Sequence, residues 1–229
     1  MLTGVADEGG WGPLAERNEI ELEILLAAIE RAGYRPGEQV SIAIDSAAAH
    51  FYRDGLYHLD TEGRELDAAG LVELFEDWLD RYPVLSIEDG LDQDDWSGWQ
   101  RMAASLGDRI QVLGDDLFTT NPDRLERGIQ ERSANAVLVK MNQIGTLTET
   151  FGVIDRAREA GFLAVISTRS GETEDAFLAD LAVASGAGQI KPGSLTRSER
   201  LAKFNRLLEI ESRGDLTYAG SEVFRRFLR

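Results

Sequence analysis

The chain has 229 residues, 43% of them hydrophobic and none of them cysteine, which suits one large domain or one α/β barrel and excludes a disulfide framework or a thiolate metal site. The formal net charge of −17 argues against nucleic acid or an anionic membrane as a partner, because a field of this sign repels phosphate groups. With only two histidines in the chain, any metal would be held by carboxylates, which favour magnesium, calcium or manganese.

Short β-rich runs alternate with helical patterns along most of the chain. The predicted strands are residues 39–45, 83–89, 110–116, 135–140, 163–168 and 188–191. Helices are predicted at residues 71–82, 121–129, 146–161 and 197–213, followed by a tail from Gly214 onward. Repeated βα units with nearly continuous apolar strands predict a parallel sheet covered on both faces, without a second domain.

Polar residues stand at the C-terminal end of each predicted strand. In chain order they are Asp45, Glu88, Asp115, Lys140, Thr168 with Arg169, and Lys191. In a (β/α)8 barrel the chemistry lies at that end and is supplied by successive strands. In a doubly wound open sheet only the strands near the switch point would carry such residues. Six successive polar strand ends therefore favour the barrel.

The three acids Asp45, Glu88 and Asp115 end consecutive strands and would converge in a barrel. Each one alone could equally be the N-cap of the following helix. Three like charges repel one another unless a cation neutralises them, so together they predict a magnesium site. The neighbouring Asp89 and Asp116 are interpreted as caps or supporting groups without a catalytic role.

Two lysines end apolar strands, Lys140 after VLV and Lys191 after GQI. Lys140 could be a surface lysine that extends to solvent, but the run before it is very apolar. A lysine beside another lysine and a divalent cation has a lowered proton affinity, so one of the pair could act as a base. Arg169 with Ser170 forms a reasonable anion-binding pair, the alternative being a helix N-cap with a structural ion pair.

Six stretches of the chain resemble signatures of the enolase family, magnesium-dependent enzymes that interconvert 2-phosphoglycerate and phosphoenolpyruvate. They are DEGGWGP, AIDSAAAHFYRDGLYHL, SIEDGLDQDDWSGW, GDDLFTTNP, LVKMNQIGTLTET and STRSGETEDAFLADLAVASGAGQIKPGSLTRSERLAKFN. The resemblance implies a (β/α)8 TIM-type barrel, of which residues 1–229 would form one partial domain of about six βα units. It also implies that the N-terminal domain and the first two barrel strands of the family lie outside this chain.

The resemblance implies a role for each strand-end residue. Asp45, Glu88 and Asp115 match the ligands of the family's Mg²⁺ ion. Lys140 matches the base that removes the proton next to the substrate carboxylate. Lys191 matches the lysine that contacts this carboxylate and helps to stabilise the ene-diolate.

The substrate-binding residues are implied in the same way. Arg169 and Ser170 match the residues that bind the phosphate, and Glu8 matches the glutamate that assists departure of the β-hydroxyl. Thr168 stands where the family has an active-site histidine, so it is counted among the substrate-binding positions. This replacement leaves a changed substrate or a loss of activity as alternatives.

The leading hypothesis is thus a hydro-lyase of the enolase type acting on a small phosphorylated carboxylate. One alternative is an enolase-like enzyme acting on a related phosphonate or phosphoenol substrate in a biosynthetic pathway. Another is a non-catalytic fragment with a binding or assembly role, against which the retained acids and lysines argue. A homo-oligomer or a partner segment is expected to supply the absent strands, and the absence of a signal peptide and of a long apolar run predicts a cytoplasmic location.

Overall fold

The computed structural model describes residues 2–214 and 216–228. Its strands are β1 (Leu2–Val5), β2 (Trp11–Pro13), β3 (Ile42–Asp45), β4 (Tyr52–Arg53), β5 (Leu56–Leu59), β6 (Arg64–Leu66), β7 (Val84–Glu88), β8 (Gln111–Gly114), β9 (Ala136–Val139), β10 (Leu163–Ser167) and β11 (Ile190–Lys191). Its α-helices are α1 (Glu19–Arg31), α2 (Ala68–Arg81), α3 (Trp96–Leu106), α4 (Pro122–Glu131), α5 (Met141–Ile144), α6 (Leu147–Glu159), α7 (Phe177–Ala184) and α8 (Ser198–Arg213). Short 3-10 helices lie at Ala48–Phe51, Asp60–Glu62 and Gly220–Phe224.

The chain divides into two compact units. The first unit comprises Met1–Leu14, Thr119–Leu125 and Ala136–Arg225, and the second comprises Ala15–Phe118, Glu126–Asn135 and Arg226–Arg229. Each unit contains three parallel strands, ordered β9-β10-β11 in the first and β3-β7-β8 in the second. The helices between these strands in sequence make the fold α/β, as predicted, and this pattern is consistent with part of a (β/α)8 barrel.

In the second unit, the apolar face of α2 packs into the core through Leu71, Phe75 and Trp78, which are all buried. Their spacing of three and four residues is that of an amphipathic helix. The carboxylate of Asp67 caps the start of α2 by accepting the N–H of Gly70 at 2.8 Å. The cap and the apolar stripe together explain why this helix begins three residues before the predicted position and covers the sheet.

The second unit also contains an antiparallel sheet of β4, β5 and β6. Asp54 and Gly55 connect β4 to β5 with φ values of +54° and +83°, as in a two-residue hairpin turn that favours Asp-Gly. The buried Tyr57 of β5 accepts the backbone N–H of Asp92 through its hydroxyl at 2.9 Å. This contact ties the hairpin to the loop that follows β7.

In the first unit, β9 is wholly buried, as its apolar run predicts. Helix α6 begins at the N-cap residue Thr146, whose hydroxyl accepts the N–H of Glu149 and donates to the Glu149 carboxylate. It ends just before Gly161, whose φ of +77° and N–H bond to the Arg158 carbonyl terminate the helix. The sequence therefore encodes both ends of this helix locally.

The predicted parallel strands all exist, with ends that differ by at most three residues from the prediction. The helices α1, α3, α5 and α7 and the antiparallel strands were not predicted. Of the predicted tail, residues 215 and 229 lie outside the described residues, and the remainder includes the 3-10 helix Gly220–Phe224. The assignment of residues 1–229 to one partial barrel domain stays a prediction. Within the described ranges, the helices are too short or too polar to cross a membrane.

Candidate functional site

The predicted metal ligands lie at the carboxyl ends of the three parallel strands of the second unit. Asp45 is the last residue of β3 and pairs in register with Glu88, the last residue of β7. Glu88 pairs in turn with Leu113 of β8, and Asp115 follows two positions later. Since strand side chains alternate between faces, this register assigns all three acids to the same face. Glu88 and Asp115 are buried, whereas Asp45 is exposed.

Of the predicted ligands, only Asp115 belongs to the group of closely spaced carboxylates at this end of the second unit. Asp89, Asp115 and Asp116 each place one carboxylate oxygen within 4.8 Å of the others. The Asp89 carboxylate accepts two backbone N–H groups, from Asp115 at 2.9 Å and from Asp116 at 2.9 Å. Asp89 therefore holds the start of the loop that carries Asp115, while its interpretation as a supporting group without a catalytic role stays a prediction.

Burial raises the pKa of Asp89 to about 7, although its two backbone N–H bonds oppose this shift. The neighbouring carboxylates of Asp115 and Asp116 raise the pKa further, because like charges disfavour ionisation. Asp89 and Asp115 are buried and Asp116 is exposed, and carboxylate oxygens are the ligands that a hard divalent cation prefers. The donor atoms present thus fit a cation of the magnesium class.

In the first unit, Lys140 follows β9 directly and is half-buried. Its backbone N–H donates to the hydroxyl of Thr120 at 2.9 Å. The same hydroxyl donates to the side-chain carbonyl of Gln143 at 2.7 Å, so Thr120 contacts the backbone of Lys140 and a side chain of the helix that follows it. Thr120 has a φ of +53°, which is rare for a β-branched residue and is typical of strained backbone near functional sites.

Thr120 has a role that sequence analysis missed. The GDDLFTTNP stretch indicates a loop, but neither its composition nor its periodicity distinguishes a buried threonine from an exposed one. Only the contact with a residue 20 positions away identifies it.

The predicted substrate-binding residues follow β10. Thr168 is buried, and both its N–H and its hydroxyl donate to the carbonyl of Lys191 at 3.2 Å. Arg169 and Ser170 are exposed. The guanidinium of Arg169 donates to the side-chain carbonyl of Asn142 in α5 at 3.5 Å. The end of β10 is thus connected both to Lys191 and to the helix that follows Lys140.

Glu8 lies in a turn closed by two backbone hydrogen bonds between Ala6 and the glycines at positions 9 and 10. The carbonyl of Glu8 accepts the N–H of Ser194 at 2.7 Å, and its side chain is exposed. The Thr196 hydroxyl donates to the carbonyl of Gly9 at 2.5 Å. The turn is therefore anchored on the segment that follows Lys191, and the first unit brings Glu8, Lys191 and the end of β10 into one network.

Two basic residues of α8 belong to this network, although the sequence indicated only a charged amphipathic helix. Arg200 is fully buried, and so is Lys203. The Lys203 ammonium pairs with the carboxylate of Glu172 at 2.8 Å and donates to the carbonyl of Thr173 at 2.5 Å. Their spacing of three residues along one helix face is the signal that could have indicated a shared target.

The predicted site residues thus fall into two groups, the acids in the second unit and the lysines, Glu8 and the phosphate-binding residues in the first. Their individual roles stay predictions. The family model described as the enolase C-terminal TIM barrel domain matches residues 1–227, which is nearly the whole chain.

Proposed function

The chain belongs to the family of enolase C-terminal TIM barrel domains, and on that premise we propose that it is a magnesium-dependent hydro-lyase of the enolase type. Its substrate would be 2-phosphoglycerate and its product phosphoenolpyruvate. The observation that carries the proposal is the register of the second unit, in which Asp45 and Glu88 are paired at adjacent strand ends and Asp115 follows on the next strand. Three like charges at one edge of a sheet repel one another unless a cation neutralises them.

Asp45, Glu88 and Asp115 would hold Mg²⁺ through their carboxylate oxygens, and Asp89 would keep the loop of Asp115 in place. When bound, the ion supplies positive charge that stabilises the additional negative charge of an ene-diolate.

Lys140 would remove the proton on the carbon next to the substrate carboxylate. The electrons of that C–H bond then form the new double bond, and the C–O bond to the β-hydroxyl breaks. Glu8 would deliver a proton to this hydroxyl, so that it leaves as water. The Lys191 ammonium would lie against the substrate carboxylate and stabilise its developing charge.

Arg169 and Ser170 would bind the substrate phosphate. A guanidinium provides charged N–H donors in a planar arrangement that matches phosphate oxygens, and a hydroxyl adds a short neutral bond. Both side chains are exposed at the end of β10, as a site that takes up a ligand from solvent requires.

A second candidate function is supported by Thr168. Its hydroxyl is buried and donates to the carbonyl of Lys191. The family resemblance leads one to expect a histidine at this position, and threonine does not supply the ring N–H donor of a histidine. We therefore keep a related phosphonate or phosphoenol compound as the alternative substrate.

The experiment is an assay of 2-phosphoglycerate dehydration in which the absorbance of the enol product is measured. Circular dichroism first confirms that the protein is folded. We expect turnover that a chelator abolishes and added Mg²⁺ restores. Asp115→Asn should lose both turnover and Mg²⁺ binding measured by calorimetry, whereas Asp123→Asn, at an exposed position in the first turn of α4, should keep both.

Lys140→Ala separates the base from the metal site, since it should abolish turnover and leave Mg²⁺ binding unchanged. Equal loss of both would show that the role assigned to Lys140 is wrong. A folded wild-type protein that binds Mg²⁺ without turning over 2-phosphoglycerate would favour the second candidate substrate. A protein that neither binds Mg²⁺ nor turns over substrate would favour the non-catalytic hypothesis.

A further inference from the structure

Arg200 lies in the first turn of α8 and is 0% exposed. One terminal nitrogen of its guanidinium donates to the Thr168 hydroxyl at 3.0 Å and to the Arg169 carbonyl at 2.9 Å. The other donates to the Ser170 carbonyl at 2.6 Å and to the Asp7 carbonyl at 3.0 Å. A single side chain thus bonds three successive residues after β10 and the residue that precedes Glu8.

The partners of Arg200 are neutral, which sets it apart from the other basic residues on its side of α8. Lys203 pairs with the carboxylate of Glu172, and Arg206 pairs with that of Asp180 at 2.6 Å. For Arg200, no carboxylate of residues 4–214 or 216–228 lies within 4.0 Å. Its guanidinium donates to three carbonyls and one hydroxyl, so no direct ion pair neutralises its charge beside the loop that carries Arg169 and Ser170, although this charge also helps to lower the pKa of the neighbouring Glu199.

Gly193 shows how closely these segments are packed. A Cβ at this position would lie 2.6 Å from Cδ of Arg200 and 2.7 Å from the carbonyl oxygen of Glu8. Its φ of +99° is also a conformation that L side chains rarely adopt. The Arg200 guanidinium and the Glu8 turn can therefore lie this close to the segment after Lys191 only because residue 193 is a glycine without a side chain.

We propose that Arg200 is a positioning residue that holds the Glu8 turn (residues 6–10) and the loop after β10 (residues 168–171) in one fixed arrangement. Its positive charge, which no direct ion pair neutralises, also favours the binding of a phosphate group by the loop after β10. This second part rests on the proposed function, because it takes Arg169 and Ser170 as phosphate ligands. The first part depends only on the contacts of Arg200.

Amide hydrogen–deuterium exchange tests the first part without any substrate. Arg200→Lys keeps the charge but lacks the planar fork that spans both segments, and Arg200→Gln loses the charge as well. In both variants we expect exchange at residues 6–10 and 168–171 to accelerate about tenfold, since each segment loses charge-assisted hydrogen bonds. Arg206→Gln on the same helix should leave both segments unchanged.

Acceleration in neither segment, or equal acceleration throughout the protein, would overturn the positioning role and show that Arg200 only stabilises the fold. The Arg200→Lys variant keeps this test valid if Arg200→Gln does not fold.

The second part is tested with inorganic phosphate as the probe, by titration calorimetry. Arg200→Gln should weaken phosphate binding about tenfold or more, and Arg200→Lys should weaken it less because the charge remains. Equal phosphate affinity in Arg200→Gln and wild type would overturn the electrostatic role. If the wild type binds phosphate but does not dehydrate 2-phosphoglycerate, the proposed reaction fails while the role of Arg200 is still decided by these measurements.

Discussion

Replacement of Thr120 by valine removes one hydroxyl and keeps the shape of the side chain. In the wild type this hydroxyl accepts the N–H of Lys140 at 2.9 Å and donates to Gln143 at 2.7 Å. Thr120 itself is fully buried. Because valine is also β-branched, the strain of the positive φ is nearly the same in both proteins, and the comparison isolates the two hydrogen bonds.

The expected loss follows from the environment of these groups, since Thr120 is buried and its partners Lys140 and Gln143 are half-buried. A buried N–H left without a partner costs about 1–3 kcal/mol, and the bond to Gln143 contributes about 1 kcal/mol net. Together they predict a decrease of roughly 2–4 kcal/mol in the free energy of unfolding. Because the same N–H positions Lys140, the proposed dehydration should also slow by about tenfold to a hundredfold.

Urea denaturation followed by circular dichroism measures the first quantity, and the enol absorbance assay measures the second. Thr120→Ser is the matched control, because serine keeps the hydroxyl and relieves the β-branch at a positive φ. A Thr120→Val protein within about 0.5 kcal/mol of wild type would refute the reasoning. So would a serine variant that is as unstable as the valine variant.

Two further predictions concern backbone strain and pH. Gly55→Ala should cost about 1 kcal/mol of stability from its φ of +83° alone, since no atom lies within 4 Å of the added Cβ. Gly193→Ala should cost clearly more, because its Cβ would lie 2.6 Å from Arg200. Thermal or urea denaturation of the two variants tests this difference. The hydrogen bonds from Arg206 hold the pKa of Asp180 below its ordinary value. The stability that this carboxylate provides is therefore fully present above its unfolded-state pKa. It is lost as the pH falls through the lower, folded-state pKa. Asp180→Asn should therefore be less stable than wild type at pH 7, by under about 1 kcal/mol because the pair is partly exposed. The difference should shrink as the pH falls through the folded-state pKa of Asp180, and a difference that stayed constant as the pH was lowered would contradict the assignment.

The parallel strands could be predicted because their signal is local. Ala136–Val139 is an uninterrupted apolar run, and each such run is followed by a polar residue and a helical pattern. The ends of α6 were predictable for the same reason, since Thr146 and Gly161 are capping residues by their own chemistry. The Asp54-Gly55 turn was an available signal for the missed hairpin of β4 and β5.

The sequence by itself thus determined the α/β class, the order of the βα units and the acids and lysines that end the strands, because periodicity and strand ends are properties of neighbouring residues. Only the tertiary structure decided that Asp89 binds the backbone of the next loop and that Thr120 fixes the backbone at Lys140. It also decided that Arg200 is a buried connection between two loops and not part of a solvated helix face. These roles depend on partners 20 to 193 positions away in the chain. A helical pattern records which residues share a face, but it does not record which carbonyl groups that face will meet.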